Sequence, residues 1–202
     1  MDVLCSALIG YGLGSLSPAA WVAKKKNVDL RKQGSQNLGG TNTMLVVGRA
    51  WEITVMLLDI FKSYLACRIA KRLFPALRIA MLIAGLAAVV GHIFPVTMGF
   101  RGGKGLAAFG GMVLSCSPWM FLSLAILALI AMFLCNASVA APMSAAVLFP
   151  ILAGLKFHDG IAFLLCAAAS TLIIVKHWSN IEKARSGNDI PVRAFFKNGL
   201  KQ

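Results

Sequence analysis

A chain of 202 residues, 58% hydrophobic and 13% charged, with mean hydropathy +0.78, is excluded from the ordinary soluble domains. Its 20 basic and 7 acidic residues leave a net charge of +13. The basic side chains are split among short segments between apolar runs, which argues against a nucleic-acid partner and for loops facing anionic membrane lipid. The five cysteines, Cys5, Cys67, Cys116, Cys135 and Cys166, stand singly, so neither a disulfide framework nor a metal site is expected.

A membrane span needs roughly 20 apolar residues, and the first such run is 3–23. Gly10, Gly12, Gly14 and the Ser15-Leu16-Ser17-Pro18 stretch predict close helix packing and a kink. No basic segment precedes this run, so a retained helix is expected and not a cleaved leader. Lys24, Lys25 and Lys26, with Arg31 and Lys32, mark the next loop as cytoplasmic, which puts the N-terminus outside. Residues 34–42 then hold three glycines, a serine, a threonine and two asparagines. Such a stretch suits a loop whose backbone and short polar groups surround a ligand, or else a flexible linker.

The second span, about 50–70, carries Glu52, Asp59 and Lys62. Asp59 and Lys62 are three apart, share a helix face and are expected to pair structurally. The following link, 68–78, holds four basic residues although this topology places it outside. The third span is 79–100. His92 lies near its end, at headgroup depth, and Pro95 bends or ends the helix. Phe100-Arg101-Gly102-Gly103-Lys104-Gly105 follows as a basic, glycine-rich knot before a helix start at Leu106. Glycine N–H groups, a lysine and a helix N-terminus together suit a phosphate. The plainer alternative is a basic loop that only fixes topology. The pattern is not that of a P-loop.

Apolar runs of about 106–134, 137–155 and 160–175 come next. A basic tail then follows with Lys176, Lys183, Arg185, Arg193, Lys197 and Lys201, expected to be cytoplasmic. If the Lys104 loop and the tail lie on one side, an even number of crossings separates them. One of the three runs must then fail to cross, and 137–155, with Pro142, is the candidate re-entrant helix. The predicted fold is a single all-α polytopic membrane domain over 1–202. It has about five full transmembrane helices plus one or two short or re-entrant ones, seven helices in all. The stretch around 38–48 could supply the second short one.

Three stretches taken together resemble a known family. Gly34-Ser35-Gln36-Asn37-Leu38-Gly39-Gly40-Thr41-Asn42 resembles the first motif of the bacterial acylphosphate:glycerol-3-phosphate acyltransferases, the PlsY family. Gly91-His92-Ile93-Phe94-Pro95-Val96 through Gly105 resembles the second. His177-Trp178-Ser179-Asn180-Ile181 with Gly187 resembles the third. Their order and spacing fit end to end over about 150 residues.

The resemblance implies a multi-pass enzyme of the bacterial inner membrane. It would move an acyl chain from acyl phosphate to the 1-hydroxyl of glycerol 3-phosphate, giving lysophosphatidic acid and phosphate. It would need no cofactor or metal, and the enzyme that makes acyl phosphate would be a possible partner. Lys104 and the Gly102 and Gly103 N–H groups would hold a phosphate, with Arg101 adding charge and His92 orienting the loop. Ser35, Asn37, Thr41, Asn42 and Ser138 would hydrogen-bond phosphate or the acyl carbonyl. Asn180 and His177 would position glycerol 3-phosphate. Either His177 or the substrate's own phosphate would take the hydroxyl proton, the phosphate being preferred because the donor is already activated. A covalent Ser35 ester lacks an assigned base. Glu182, five residues from His177, would point about 140° away on a helix, so those two are not expected to act together.

Several family positions differ. A family arginine is Leu45 here, another is Trp178, a basic residue is Cys135, and a serine is Ala141. Arg49 would restore charge near Leu45 if the two share a helix face. The alternatives are a non-catalytic paralogue in a lipid-synthesis assembly and a small anion transporter or channel.

Overall fold

The computed structural model describes residues 1–188 and 191–193, and every regular element among them is helical. Lys197 and Lys201 of the basic tail lie outside the described residues. Among the described residues, ten α-helices and one 3-10 turn stand where the sequence pattern predicts seven helices. The surplus arises at local caps, which break runs that look continuous by hydropathy. Packing gathers the helices into two compact units, the first ending at Cys116 and the second beginning at Ser117.

The first unit contains α1 (Asp2–Gly14), α2 (Pro18–Lys25), α3 (Gly40–Val47), α4 (Arg49–Leu73), α5 (Ala80–Ile93), the 3-10 turn Val96–Met98 and α6 (Leu106–Cys116). Ser17 divides α1 from α2. Its Oγ accepts from Ala20 N–H at 3.2 Å, and Pro18 fills the first helical position, where its missing N–H costs nothing. α1 lies on α5 at backbone distance. A Cβ added to Gly10 or Gly14 would strike the backbone of Ala84 or Ala88, and one at Gly91 would come 2.5 Å from Tyr11 O. Small residues four apart let helices in lipid approach this closely, which is the packing expected of 3–23.

α4 turns Val55, Asp59, Lys62, Ser63, Ala66, Cys67 and Ala70 inward at three- and four-residue intervals. Of the basic residues assigned to the link, Lys71 and Arg72 sit in the last turn of α4, where cations complement the carbonyl end of the helix. Arg68 lies on α4 as well, over the Tyr64 ring. α3 is the short helix expected around 38–48.

The second unit contains α7 (Pro118–Cys135), α8 (Ala140–Phe157), α9 (Gly160–Lys176) and α10 (Trp178–Arg185). α7 buries only Leu124, while Leu122, Ile126, Leu127, Leu129 and Ile130 are exposed. A helix apolar all round and open to its surroundings suits lipid and not water.

The expected re-entrant helix is corrected here. The run 137–155 forms α8, 18 residues long and apolar enough to cross, and Pro142 sits in its first turn, where it is tolerated. The run 106–134 is the one that divides. Ser117 accepts from Met120 N–H at 3.4 Å and caps α7, with Pro118 as first residue. The piece before it, α6, has 11 residues, roughly 16 Å at about 1.5 Å per residue. Three elements of span length, α7, α8 and α9 with α10, therefore follow the Lys104 loop, and the short helix of this half is α6, not 137–155. Asp2–Lys25, Ala80–Met98, α7 and α8 are each long and apolar enough to span, and α9 with α10 makes a fifth across a 51° bend. The chain is a polytopic helical membrane protein.

Candidate active site

The polar residues of the first unit gather where two loops meet. One loop, 26–39, leads into α3. Asn42, at the start of α3 and 1% exposed, organises it: Oδ1 accepts from Ser35 N–H at 2.6 Å, and Nδ2 donates to Leu30 O at 2.7 Å and Gln33 O at 3.2 Å. Asn42 is thus a clamp inside the loop and does not face a ligand, because all its polar atoms are engaged by backbone. Asn37 Nδ2 donates to Ser35 O at 3.2 Å. Ser35 and Thr41 are exposed.

The second loop, 94–105, carries Lys104. Its glycine amides do not form the expected anion cradle. Gly102 N–H donates to Ile93 O at 3.1 Å and Gly103 N–H to His92 O at 3.2 Å, so both fold the loop back on the end of α5. What the glycines supply is room: a Cβ on Gly102 would strike His92 O, and one on Gly103 would strike His92 Nε2 and come 2.6 Å from Leu38 O. Leu38 belongs to the first loop, so the two loops touch at Gly103. Arg31 ties them again, Nη2 donating to Met98 O at 2.8 Å and Arg101 O at 3.5 Å. Arg101 is exposed and Lys104 half-buried. A cleft of about 320 Å³ opens beside the loops, with Lys24, Arg31, Leu38 and Met98 on its walls.

The Asp59–Lys62 pair forms at 2.7 Å, and both residues are buried. Sequence separation hid its third member. His92 Nδ1 lies 3.2 Å from Asp59 Oδ1 and 3.1 Å from Lys62 Nζ. His92 does hydrogen-bond the Lys104 loop, but through its carbonyl, while the Nδ1 edge of its ring faces α4. Arg49 does not continue the face of Leu45. Gly48, at φ +115, ends α3 and starts α4, so the two residues lie on different helices.

The remaining candidates lie in the second unit. His177 ends α9, is 6% exposed, and has Nδ1 2.8 Å from Ile173 O. A carbonyl only accepts, so Nδ1 carries the hydrogen, and in the neutral ring Nε2 is the basic nitrogen. Asn180 N–H donates to His177 O at 2.9 Å, setting Asn180 on the first turn of α10. Trp178 Nε1 donates to Glu182 Oε1 at 2.9 Å, so the acid is paired with the indole one turn away. Ser138 is exposed in the turn between α7 and α8. The tail returns to this corner: Arg193 N–H donates to Asn136 Oδ1 at 2.9 Å and its Nη2 to Phe133 O at 3.2 Å. Among the described residues no group of three His, Cys, Asp or Glu side chains is placed to hold a metal.

Apolar helices bearing cationic and hydroxyl-bearing loops at their ends define a membrane protein built to handle an anionic, lipid-like ligand. The glycerol-3-phosphate acyltransferase family matches residues 4–187. A glycerol-3-phosphate acyltransferase of Enterococcus faecalis is 35% identical over 94% of this chain and 91% of its own length. One of Coxiella burnetii is 38% identical over 96% of this chain and all of its own length. The crystal structure of PlsY, an integral membrane glycerol 3-phosphate acyltransferase, in its glycerol 3-phosphate form superposes with a TM-score of 0.87. That structure is 29% identical, covering 95% of this chain and 96% of its own. The lysophosphatidic acid form gives 0.85 at 28% identity, covering 95% of each chain. The chain belongs to the glycerol-3-phosphate acyltransferase family.

Proposed function

We propose that this protein transfers an acyl group from acyl phosphate to the 1-hydroxyl of glycerol 3-phosphate. The hydroxyl oxygen bonds to the acyl carbon, the bond from that carbon to the phosphate oxygen breaks, and lysophosphatidic acid and inorganic phosphate leave. The hydroxyl proton passes to the departing phosphate or to His177 Nε2. The observation that carries this reading is family membership along nearly the whole chain, with all three polar motifs in place.

Lys104 and Arg101 supply cationic grips for phosphate, and charge-assisted contacts of that kind are the stronger ones in a water-poor site. Ser35 and Thr41, exposed on and beside their loop, donate to a phosphate or acyl-carbonyl oxygen, with Asn37 fixing the Ser35 turn. The amides of Gly102 and Gly103 shape the loop. Ser138, Asn180 and His177 orient glycerol 3-phosphate, so that catalysis comes from placing an activated donor beside a hydroxyl. The acyl tail lies among apolar helices. The inner membrane of a bacterium is the setting, with the N-terminus outside and the motifs cytoplasmic. An enzyme that makes acyl phosphate supplies the donor.

The test is purified protein with acyl phosphate and glycerol 3-phosphate. Lysophosphatidic acid should form with equimolar phosphate, and Lys104→Ala should abolish it. Phosphate without lysophosphatidic acid would mean hydrolysis, and no reaction would remove the proposal.

A further inference from the structure

Asp59, Lys62 and His92 form a polar node among apolar helices that the acyl-transfer chemistry does not use. Asp59 is 2% exposed, Lys62 6% and His92 8%. Taking an ion pair out of water returns little stability compared with apolar packing, so the node calls for another explanation. Lys62 Nζ donates to Leu16 O at 2.5 Å, across the break between α1 and α2, besides meeting Asp59 and His92. The node therefore joins α4, α5 and the α1–α2 break at one point.

From that point the contacts run straight to Lys104. One edge of the His92 ring, Nδ1, is held by Asp59 and Lys62. The other, Nε2, abuts Gly103 closely enough that a Cβ there would strike it. The same side of Gly103 meets Leu38 O, and the next residue is Lys104. The start of the same loop is tethered to α1 and its break, Tyr11 OH donating to Phe94 O and Thr97 Oγ1 to Ser15 O, each at 2.9 Å. A ring free to rotate would release Gly103 from one of its two walls.

We propose that Asp59 and Lys62 are positioning residues for the Lys104 loop. They clamp the His92 ring, and the ring, together with the Leu38 carbonyl of the neighbouring loop, walls the side of Gly103 that bears no side chain and so fixes Lys104. The catalytic consequence rests on the acyl-transfer assignment above, whereas the clamp itself does not.

The experiment measures hydrogen exchange by mass spectrometry on the full protein in detergent, together with acyl transfer. Asp59→Asn should speed exchange in peptides covering residues 101–105 by about tenfold, the amides of Gly102 and Gly103 being freed more often. It should also lower kcat/KM by about tenfold or more, because a small misplacement of a binding group is costly. A second variant, Phe149→Leu in α8, serves as a control chosen to lose comparable thermal stability; it should leave exchange at 101–105 unchanged. If Asp59→Asn does not fold, His92→Gln, which removes the clamped ring without adding charge, replaces it with the same expectations. Unchanged exchange at 101–105 in the node variant, or an equal rise in the control, would overturn the proposal. Should the wild type transfer no acyl group, the functional assignment falls, while the exchange result still decides the clamp.

Discussion

Gly103→Ala is the smallest perturbation that tests how tightly the two loops are fitted. The added Cβ would come 2.6 Å from Leu38 O, where ordinary contact begins at 3.4 Å, and would strike His92 Nε2 as well. Relief therefore requires a displacement of at least about 0.8 Å, the difference between those two distances, and more against the His92 ring. Neither wall yields readily. Leu38 O is backbone, and the His92 ring is held by the Asp59–Lys62 pair. Lys104 is the next residue, so the displacement carries it along. Misplacement of a catalytic group by about 1 Å can cost ~100-fold in rate, and a loss of about 10- to 100-fold in kcat/KM is expected. The assay is lysophosphatidic acid formation at saturating acyl phosphate with glycerol 3-phosphate varied. Gly12→Ala is the matched control, since a Cβ there meets nothing within 4 Å, and it should retain wild-type rates. Wild-type kinetics in Gly103→Ala would refute the tight fit of the two loops.

Three further outcomes follow from the geometry. Asn42→Leu removes three hydrogen bonds from the first loop and should destabilise the protein by on the order of 3 kcal/mol, read as a lower unfolding temperature in detergent; an unchanged transition would contradict the clamp role. Lys62→Met leaves the Asp59 carboxylate buried with only the His92 ring beside it and should cost up to about 3–5 kcal/mol, most of it recovered in Lys62→Met/Asp59→Leu. A double variant no more stable than the single one would be the contrary result. A spin label at Leu127→Cys, on the exposed apolar face of α7, should be relaxed by oxygen dissolved in lipid and not by a water-soluble nickel chelate; preferential relaxation by the chelate would mean that α7 does not span.

Hydropathy gave away the class of fold because apolar runs near bilayer length have few other uses. The kink expected at Ser15–Pro18 is the α1–α2 break, but the break at Ser117-Pro118 was missed, since it alters capping without altering polarity. Reading 106–134 as one helix put the short element at 137–155, whereas it is α6, cut off by the cap at Ser117. Asp59 and Lys62 were legible as a pair because they are three apart on one helix. Their link to His92 was not, because 30 residues and a helix turnaround separate them. Asn42 and the glycine amides look like ligand groups by type alone. Only coordinates reveal that backbone partners already occupy them. Arg31, which reads as a topology-setting charge, instead ties the two loops together.

The most direct measurement follows the oxygen atom. Glycerol 3-phosphate labelled with oxygen-18 at its 1-hydroxyl is incubated with acyl phosphate and the purified protein, and the products are weighed by mass spectrometry. Attack of that hydroxyl on the acyl carbon places the label in the ester oxygen of lysophosphatidic acid and leaves the released phosphate unlabelled, in equal amounts. Free fatty acid with the label still in glycerol 3-phosphate, or no turnover in active lipid, would contradict acyl transfer by this protein.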